Sequence, residues 1–266
     1  KLVVKNLIRS ARIVFYDEVH HLVSHTSQFI FDRCINATMK IGLSATPFAD
    51  KEEDMKVLEG IGPSIYDVSW SELIREGYVL RPMIYMYKLP KMSVDGNYRS
   101  IYKQAIVDNE FLTRLIVVLA EKLVSMGKSV VIQTELISHT NKLSQELVCP
   151  TLTGKDDLEY RTEVIGKLKN KEILCLVSTL FEEGLDIPSL DYTINAAGGL
   201  SSISTMQRMR SLTASEDKDT CGIIDFYHQC TYLSKHSKVR KKLYTSEPAF
   251  KFTMRDVSKL QIENLH

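Results

Sequence analysis

The sequence has little that marks a secreted or membrane protein. Its five cysteines, at positions 34, 149, 175, 221 and 230, form no C-x-x-C pair and leave one over. That excludes a simple disulfide framework and suits a reducing compartment, with the sulfurs read as small buried hydrophobes. No apolar run approaches the roughly 18 residues of a membrane span, and the start Lys1-Leu2-Val3-Val4 lacks the layout of a signal peptide. The expectation is a cytoplasmic protein with no membrane partner. Charge of one sign is also missing: 34 Lys plus Arg stand against 33 Asp plus Glu. Any contact with a polyanion must therefore come from local placement. No internal repeat or low-complexity tract stands out.

What is present is ordinary globular material, 266 residues with 44% hydrophobic content, enough to fill two cores. The run Ile13-Val14-Phe15-Tyr16 ends at two acids, as a central parallel strand buried on both faces would. Met39-Lys40-Ile41-Gly42-Leu43 ends in the same way at Ser44-Ala45-Thr46-Pro47. Two strands thus deliver polar groups at their carboxyl ends, where open α/β sheets bind ligands. Between about residues 78 and 108 the periodicity fades, with Pro82, Pro90 and Asp95-Gly96 as breakers.

Alternation restarts with an amphipathic helix over 111–126 that stops at Gly127. A β/α rhythm follows: strands at 130–132, near 151–152, at 173–177, near 192–194 and at 222–226, with helices over 138–147, 158–169 and near Ser204. The reading is α/β with parallel sheets. It divides into part of a first domain over 1–84, an interdomain linker over 85–108, a second domain over 109–228 and a C-terminal extension over 229–266. In that extension Lys and Arg at 235, 238, 240, 241 and 242 read as a solvated, peripheral surface.

The chemistry starts at Asp17-Glu18. A carboxylate at the end of a buried strand can hold Mg²⁺ beside nucleotide phosphates while its neighbour orients or deprotonates water. The plainer reading is a strand-to-helix turn capped by Asp17. An ordered set decides between them. Asp17-Glu18-Val19-His20, Ser44-Ala45-Thr46-Pro47, Thr179 with Glu183-Gly184-Leu185-Asp186-Ile187-Pro188, and Gln207-Arg208 follow one another along the chain. In this order they resemble motifs II, III, V and VI of the superfamily 2 helicases, from about Ala11 to Phe226. The resemblance is nearest to the branch of XPB-type repair helicases, phage branch-migration helicases and restriction-enzyme motor subunits.

The resemblance implies two RecA-like domains, the first incomplete, flanking an ATP cleft. It also implies an ATP hydrolase using ATP and Mg²⁺ to move along nucleic acid, with DNA favoured over RNA. By the same resemblance Asp17 engages Mg²⁺ and Glu18 activates the hydrolytic water. His20, Ser44 and Thr46 couple nucleotide state to domain movement, and Gly184, Asp186, Arg208 and Arg210 meet the nucleotide. Thr134, Thr153-Gly154-Lys155 and Thr179 fall where the family touches the phosphate backbone, a task that suits hydroxyls and amides because they grip without reading sequence. His21 and His25 lie near the acids, but no further ligands for a zinc site are visible.

The match breaks at motif VI. The family pattern Gln-Arg-x-Gly-Arg-x-x-Arg is met here by Gln207-Arg208-Met209-Arg210-Ser211-Leu212-Thr213, without the glycine and with Thr213 near the final arginine's place. Arg210 aligns as the first arginine finger if one residue is missing before it, and no second finger is visible. No G-x-x-x-x-G-K-[ST] phosphate loop occurs in the sequence either, so the expectation is that activity belongs to a longer chain. Two alternatives stay open: a helicase-derived nucleic-acid-binding accessory protein that no longer hydrolyses ATP, and a DExH-type RNA helicase.

Overall fold

The two apolar runs that end at polar residues lie side by side as parallel strands β1 (Ile13–Asp17) and β2 (Met39–Leu43), in register from Ile13↔Met39 to Asp17↔Leu43. The computed structural model describes residues 2–44, 51–180, 187, 189–199 and 221–258. The chain divides into two units, Lys1–Asp67 and Val68–His266.

In the first unit β1 and β2 are accompanied by α1 (Leu2–Ser10), a 3-10 turn over Val19–Val23, α2 (His25–Phe31) and α3 (Lys51–Ile61). Val14 and Tyr16 pack on Val19, Leu22, Phe31 and Val57. Gly42 is required by this packing, since a Cβ there would meet Ile61 Cδ1 and Val19 Cγ2 at 2.8 Å. The opposite face carries Ile13, Phe15, Met39 and Leu43, exposed by 52, 65, 52 and 51%. The expectation of a strand buried on both faces is therefore corrected: among the described residues one face alone is covered.

The second unit begins with α4 (Trp70–Arg75), whose indole meets Phe250 edge-on at 5.5 Å. Its elements continue as β3 (Met83–Lys91), α5 (Tyr98–Tyr102), α6 (Glu110–Ser125), β4 (Val130–Gln133), α7 (Ile137–Leu147), β5 (Thr151–Leu152) and α8 (Leu158–Lys169). Then come β6 (Cys175–Ser178), β7 (Tyr192–Asn195), β8 (Gly222–Gln229), α9 (Leu233–Ser246) and β9 (Lys251–Asp256). The strands form one sheet in the order β5-β6-β4-β7-β8-β3-β9, and all its pairs are parallel. Local chemistry sets the helix ends. Asn109 accepts the Leu112 amide at 3.1 Å to start α6, and Gly127 at φ +71° follows its end. Asp157 caps α8 by accepting the Tyr160 amide at 2.8 Å.

Two expectations fail here. Residues 85–108 are not a linker: β3 lies between β8 and β9 with Ile84 and Met86 fully buried, and α5 leads on into the core. The breakers misled because Pro82 stands just outside the strand, while Pro90 falls where the ladder with β8 shifts register between Lys88 and Lys91 and no amide is needed. The extension expected over 229–266 is not peripheral where it is described, over 229–258, since β9 extends the sheet and Arg240 on α9 is completely buried.

Arg240 satisfies its whole fork of donors. Nε bonds Asp225 Oδ2 at 2.8 Å, and Nη2 bonds Asp225 Oδ1 at 3.1 Å and Phe226 O at 2.9 Å. Nη1 bonds the carbonyls of Gly198 at 2.8 Å and Gly199 at 2.7 Å. Tyr244 adds its hydroxyl to Asp225 Oδ2 at 2.8 Å. Burial opposes the Asp225 charge, and the guanidinium more than offsets it, holding the carboxyl below the usual range. Its signal in the sequence is an acid inside the apolar run Gly222-Ile223-Ile224-Asp225-Phe226, which requires a cation.

Candidate active site

Asp17 ends β1 exposed at the carboxyl edge, and its Oδ1 accepts the Glu18 amide at 2.9 Å. Glu18 then adopts φ 50°, ψ 56°, the left-handed region that costs a side-chain-bearing residue free energy and clusters at functional sites. The turn is held by the His21 amide on the Glu18 carbonyl at 2.8 Å and by Val19 and Leu22 in the core. This bend brings Glu18 Oε2 to 3.5 Å from His20 Nδ1, which also lies 3.0 Å from Ser44 Oγ just beyond β2. The structure thus brings Asp17, Glu18, His20 and Ser44 together at the ends of two adjacent strands. Asp17 offers hard carboxylate oxygens of the kind Mg²⁺ takes, so the donor chemistry fits that ion.

In the second unit Thr153, Thr179 and Thr134 follow three neighbouring strands, β5, β6 and β4. They do not share one exposure. Thr134 is fully buried, with its hydroxyl 2.6 Å from Thr140 Oγ1 and 3.4 Å from the Ser178 carbonyl. The reading of Thr134 as a phosphate contact is therefore corrected, because its hydroxyl is spent inside the frame joining β4 to α7. Thr153 is buried too, donating through its amide at 2.6 Å and its hydroxyl at 3.1 Å to Asp156 Oδ2. That leaves Gly154 and Lys155 as the exposed part of the turn, with Arg161 Nη2 bonding the Gly154 carbonyl at 2.8 Å. Thr179 is half-buried, its amide on the Leu152 carbonyl at 3.0 Å. Thr46, Gly184, Asp186, Gln207, Arg208 and Arg210 lie outside the described residues.

Residues 109–210 match the family described as the helicase conserved C-terminal domain. Over that segment, and along most of its length, the chain is similar to helicases. Similar proteins include a helicase-like protein 22 of the Sulfolobus islandicus filamentous virus, 25% identical over 91% of this chain and 47% of that protein. The DNA 3'-5' translocase XPB2 of Sulfurisphaera tokodaii is 25% identical over 78% of this chain and 56% of its own length. The chain thus spans about half the length of these two relatives. Among solved structures, a fragment of an HsdR-type subunit of a type I restriction enzyme from Vibrio vulnificus superposes with TM-score 0.65 at 15% identity, covering 93% of this chain and 48% of that one. Yeast Dbp5 bound to RNA and ADP BeF3 does so with TM-score 0.56 at 16% identity over 98% of this chain and 67% of that one. The fold is the parallel-sheet α/β fold of RecA-like helicase domains. No described helix is long and apolar enough to cross a membrane.

Proposed function

We propose that this chain is the motor segment of an ATP-dependent helicase or translocase that moves on DNA. The observation that carries the reading is the presence, in one chain, of the Asp17-Glu18-His20-Ser44 cluster and a helicase C-terminal domain over 109–210. Bound at Asp17, Mg²⁺ would supply charge neutralisation for the nucleotide phosphates. The Glu18 carboxylate orients the attacking water and takes its proton. His20, between that carboxylate and Ser44, holds the carboxylate's orientation and relays its state from the end of β1 to the end of β2.

Gly184, Asp186, Arg208 and Arg210 meet the nucleotide in this proposal, with Gln207 ordering the segment and Arg210 stabilising charge on the transferring phosphoryl group. Thr46 shares the coupling role of Ser44. Gly154, Lys155 and Thr179 grip the phosphate backbone from the ends of β5 and β6. DNA is preferred because the XPB-type relatives are named as DNA 3'-5' helicases and translocases.

The test is ATP turnover by the full-length protein with and without single- and double-stranded DNA and RNA. DNA should stimulate hydrolysis, and Glu18→Gln should reduce the stimulated rate by roughly 10³-fold while DNA binding persists. Stimulation by RNA alone would replace DNA with RNA as substrate. No turnover under any condition would leave the accessory-protein reading in its place.

A further inference from the structure

Two of the five thiols face each other. Cys149 lies just beyond α7 and Cys175 opens β6, both half-buried and both free. The parallel ladder pairs Thr151 with Val177 and Leu152 with Ser178, and the Val177 amide donates to the Pro150 carbonyl at 3.1 Å. Carried back two residues, this register sets Cys149 opposite Cys175 on the same face. Adjacent strands run about 4.8 Å apart, inside the roughly 4.4–6.8 Å Cα separation that a disulfide spans. Both side chains pack against one apolar cluster. The Cys175 thiol hydrogen-bonds the Cys149 sulfur, which holds Cys149 below the usual thiol range and, with burial, pushes Cys175 above it.

The other three cysteines are placed differently. Cys34 and Cys221 are buried with their sulfurs on the carbonyls of Ile30 at 3.6 Å and Leu80 at 3.5 Å, and Cys230 is buried in the core. The expectation that all five are buried hydrophobes therefore holds for three of them.

We propose that Cys149 and Cys175 form a redox-modification site, closed to an intramolecular disulfide by exchange with a small disulfide such as oxidised glutathione. The Cys149 thiolate attacks one sulfur of the oxidant, forming a mixed disulfide and releasing one glutathione thiolate, which takes up the proton Cys149 lost. Cys175 then gives up its proton and attacks the Cys149 sulfur, and the second glutathione leaves as thiolate and is protonated. Two protein thiols are oxidised by two electrons, and one small disulfide is reduced to two thiols.

The bond encloses Thr153-Gly154-Lys155 and α8, and it ties β5, two residues long and paired in the sheet with β6, to that neighbour covalently. A strand this short frays easily. The modification thus fixes the turn that carries Gly154 and Lys155, whatever the protein does with it.

The experiment incubates the purified full-length protein with oxidised glutathione, then blocks, digests and maps it without reduction. The expected result is a single Cys149–Cys175 linked peptide pair, a fall from five free thiols to three, and reversal by dithiothreitol. Thermal unfolding of the oxidised protein should rise by roughly 5–10 °C, a rise that C149S and C175S both lack. Five remaining thiols, a Cys149 that stops at the glutathione adduct, or a link through Cys34, Cys221 or Cys230 would overturn the proposal. The peptide map uses the unsubstituted chain, so it decides the question even if either variant folds poorly.

Discussion

In the unit Val68–His266 seven parallel strands share a sheet whose central members are almost wholly buried, and even a guanidinium inside it has all its donors matched. In the unit Lys1–Asp67 two strands stand with one face covered and the other bearing Ile13, Phe15 and Met39 in the open, among the described residues. The thinner frame nonetheless carries the strained Glu18 and the acid cluster, while the thicker one carries the exposed Gly154-Lys155 turn at its edge. The difference separates two sources of order. One unit is organised by deep burial, the other by a small apolar cluster on one face together with a short chain of polar contacts at its strand ends.

The largest stability effect that would break this comparison is at Arg240. Arg240→Ala leaves Asp225 charged and uncompensated in the core and should cost about 3–5 kcal/mol. Urea unfolding followed by the lone tryptophan, Trp70, reports on this unit because the indole packs on Phe250. A loss under about 1 kcal/mol would show that burial alone, without the ion pair, holds the unit.

Acid should act on the same unit next. Burial lowers His139 to about 4, helped by Lys142 and opposed by Asp108, and lowers His228 to about 3, helped by Arg240 and His236 and opposed by Asp225. Both are neutral in the fold. The unfolded chain takes up their protons first, so the stability they contribute is complete above about pH 6.5 and is lost as pH falls toward about 4 and about 3. For His139 this amounts to about 3 kcal/mol. A Trp70 unfolding midpoint that stays flat from pH 7 to pH 4.5 would break the assignment.

The smallest effect probes the other unit. Gly42→Ala forces a methyl against Val19 and Ile61 and should cost about 1–3 kcal/mol, seen by circular dichroism of unfolding with the Trp70 transition unmoved. If Trp70 moves as well, the two units do not unfold separately.

Much of this was legible because the chain alternates strongly. The strands at 130–132, 151–152, 192–194 and 222–226 and the helices at 111–126, 138–147 and 158–169 lie within a residue or a few of where periodicity puts them. What was not legible has local causes. β3 hides between Pro82 and an irregular ladder at Pro90. β9 is an edge strand whose ends carry Lys251, Arg255 and Asp256, so it lacks an apolar run. Arg240 sits in a run of basic residues that does face water at Lys235, Lys238 and Lys242, and charge counting cannot single out the one that turns inward. At the site, the motif resemblance pointed to Asp17, Glu18, His20 and Ser44, yet no pattern in the chain signals that Thr134 and Thr153 are consumed by Thr140 and Asp156.

The seven-stranded sheet closes on one side with the two-residue β5 and on the other with the charged β9. Neither border offers a long, flat row of unpaired amides to a passing chain. Among the described residues, the Ile13-Phe15-Met39 face instead sets several apolar side chains side by side in the open. A solubility screen that adds charge there should succeed where the same charges placed along β5 or β9 change nothing.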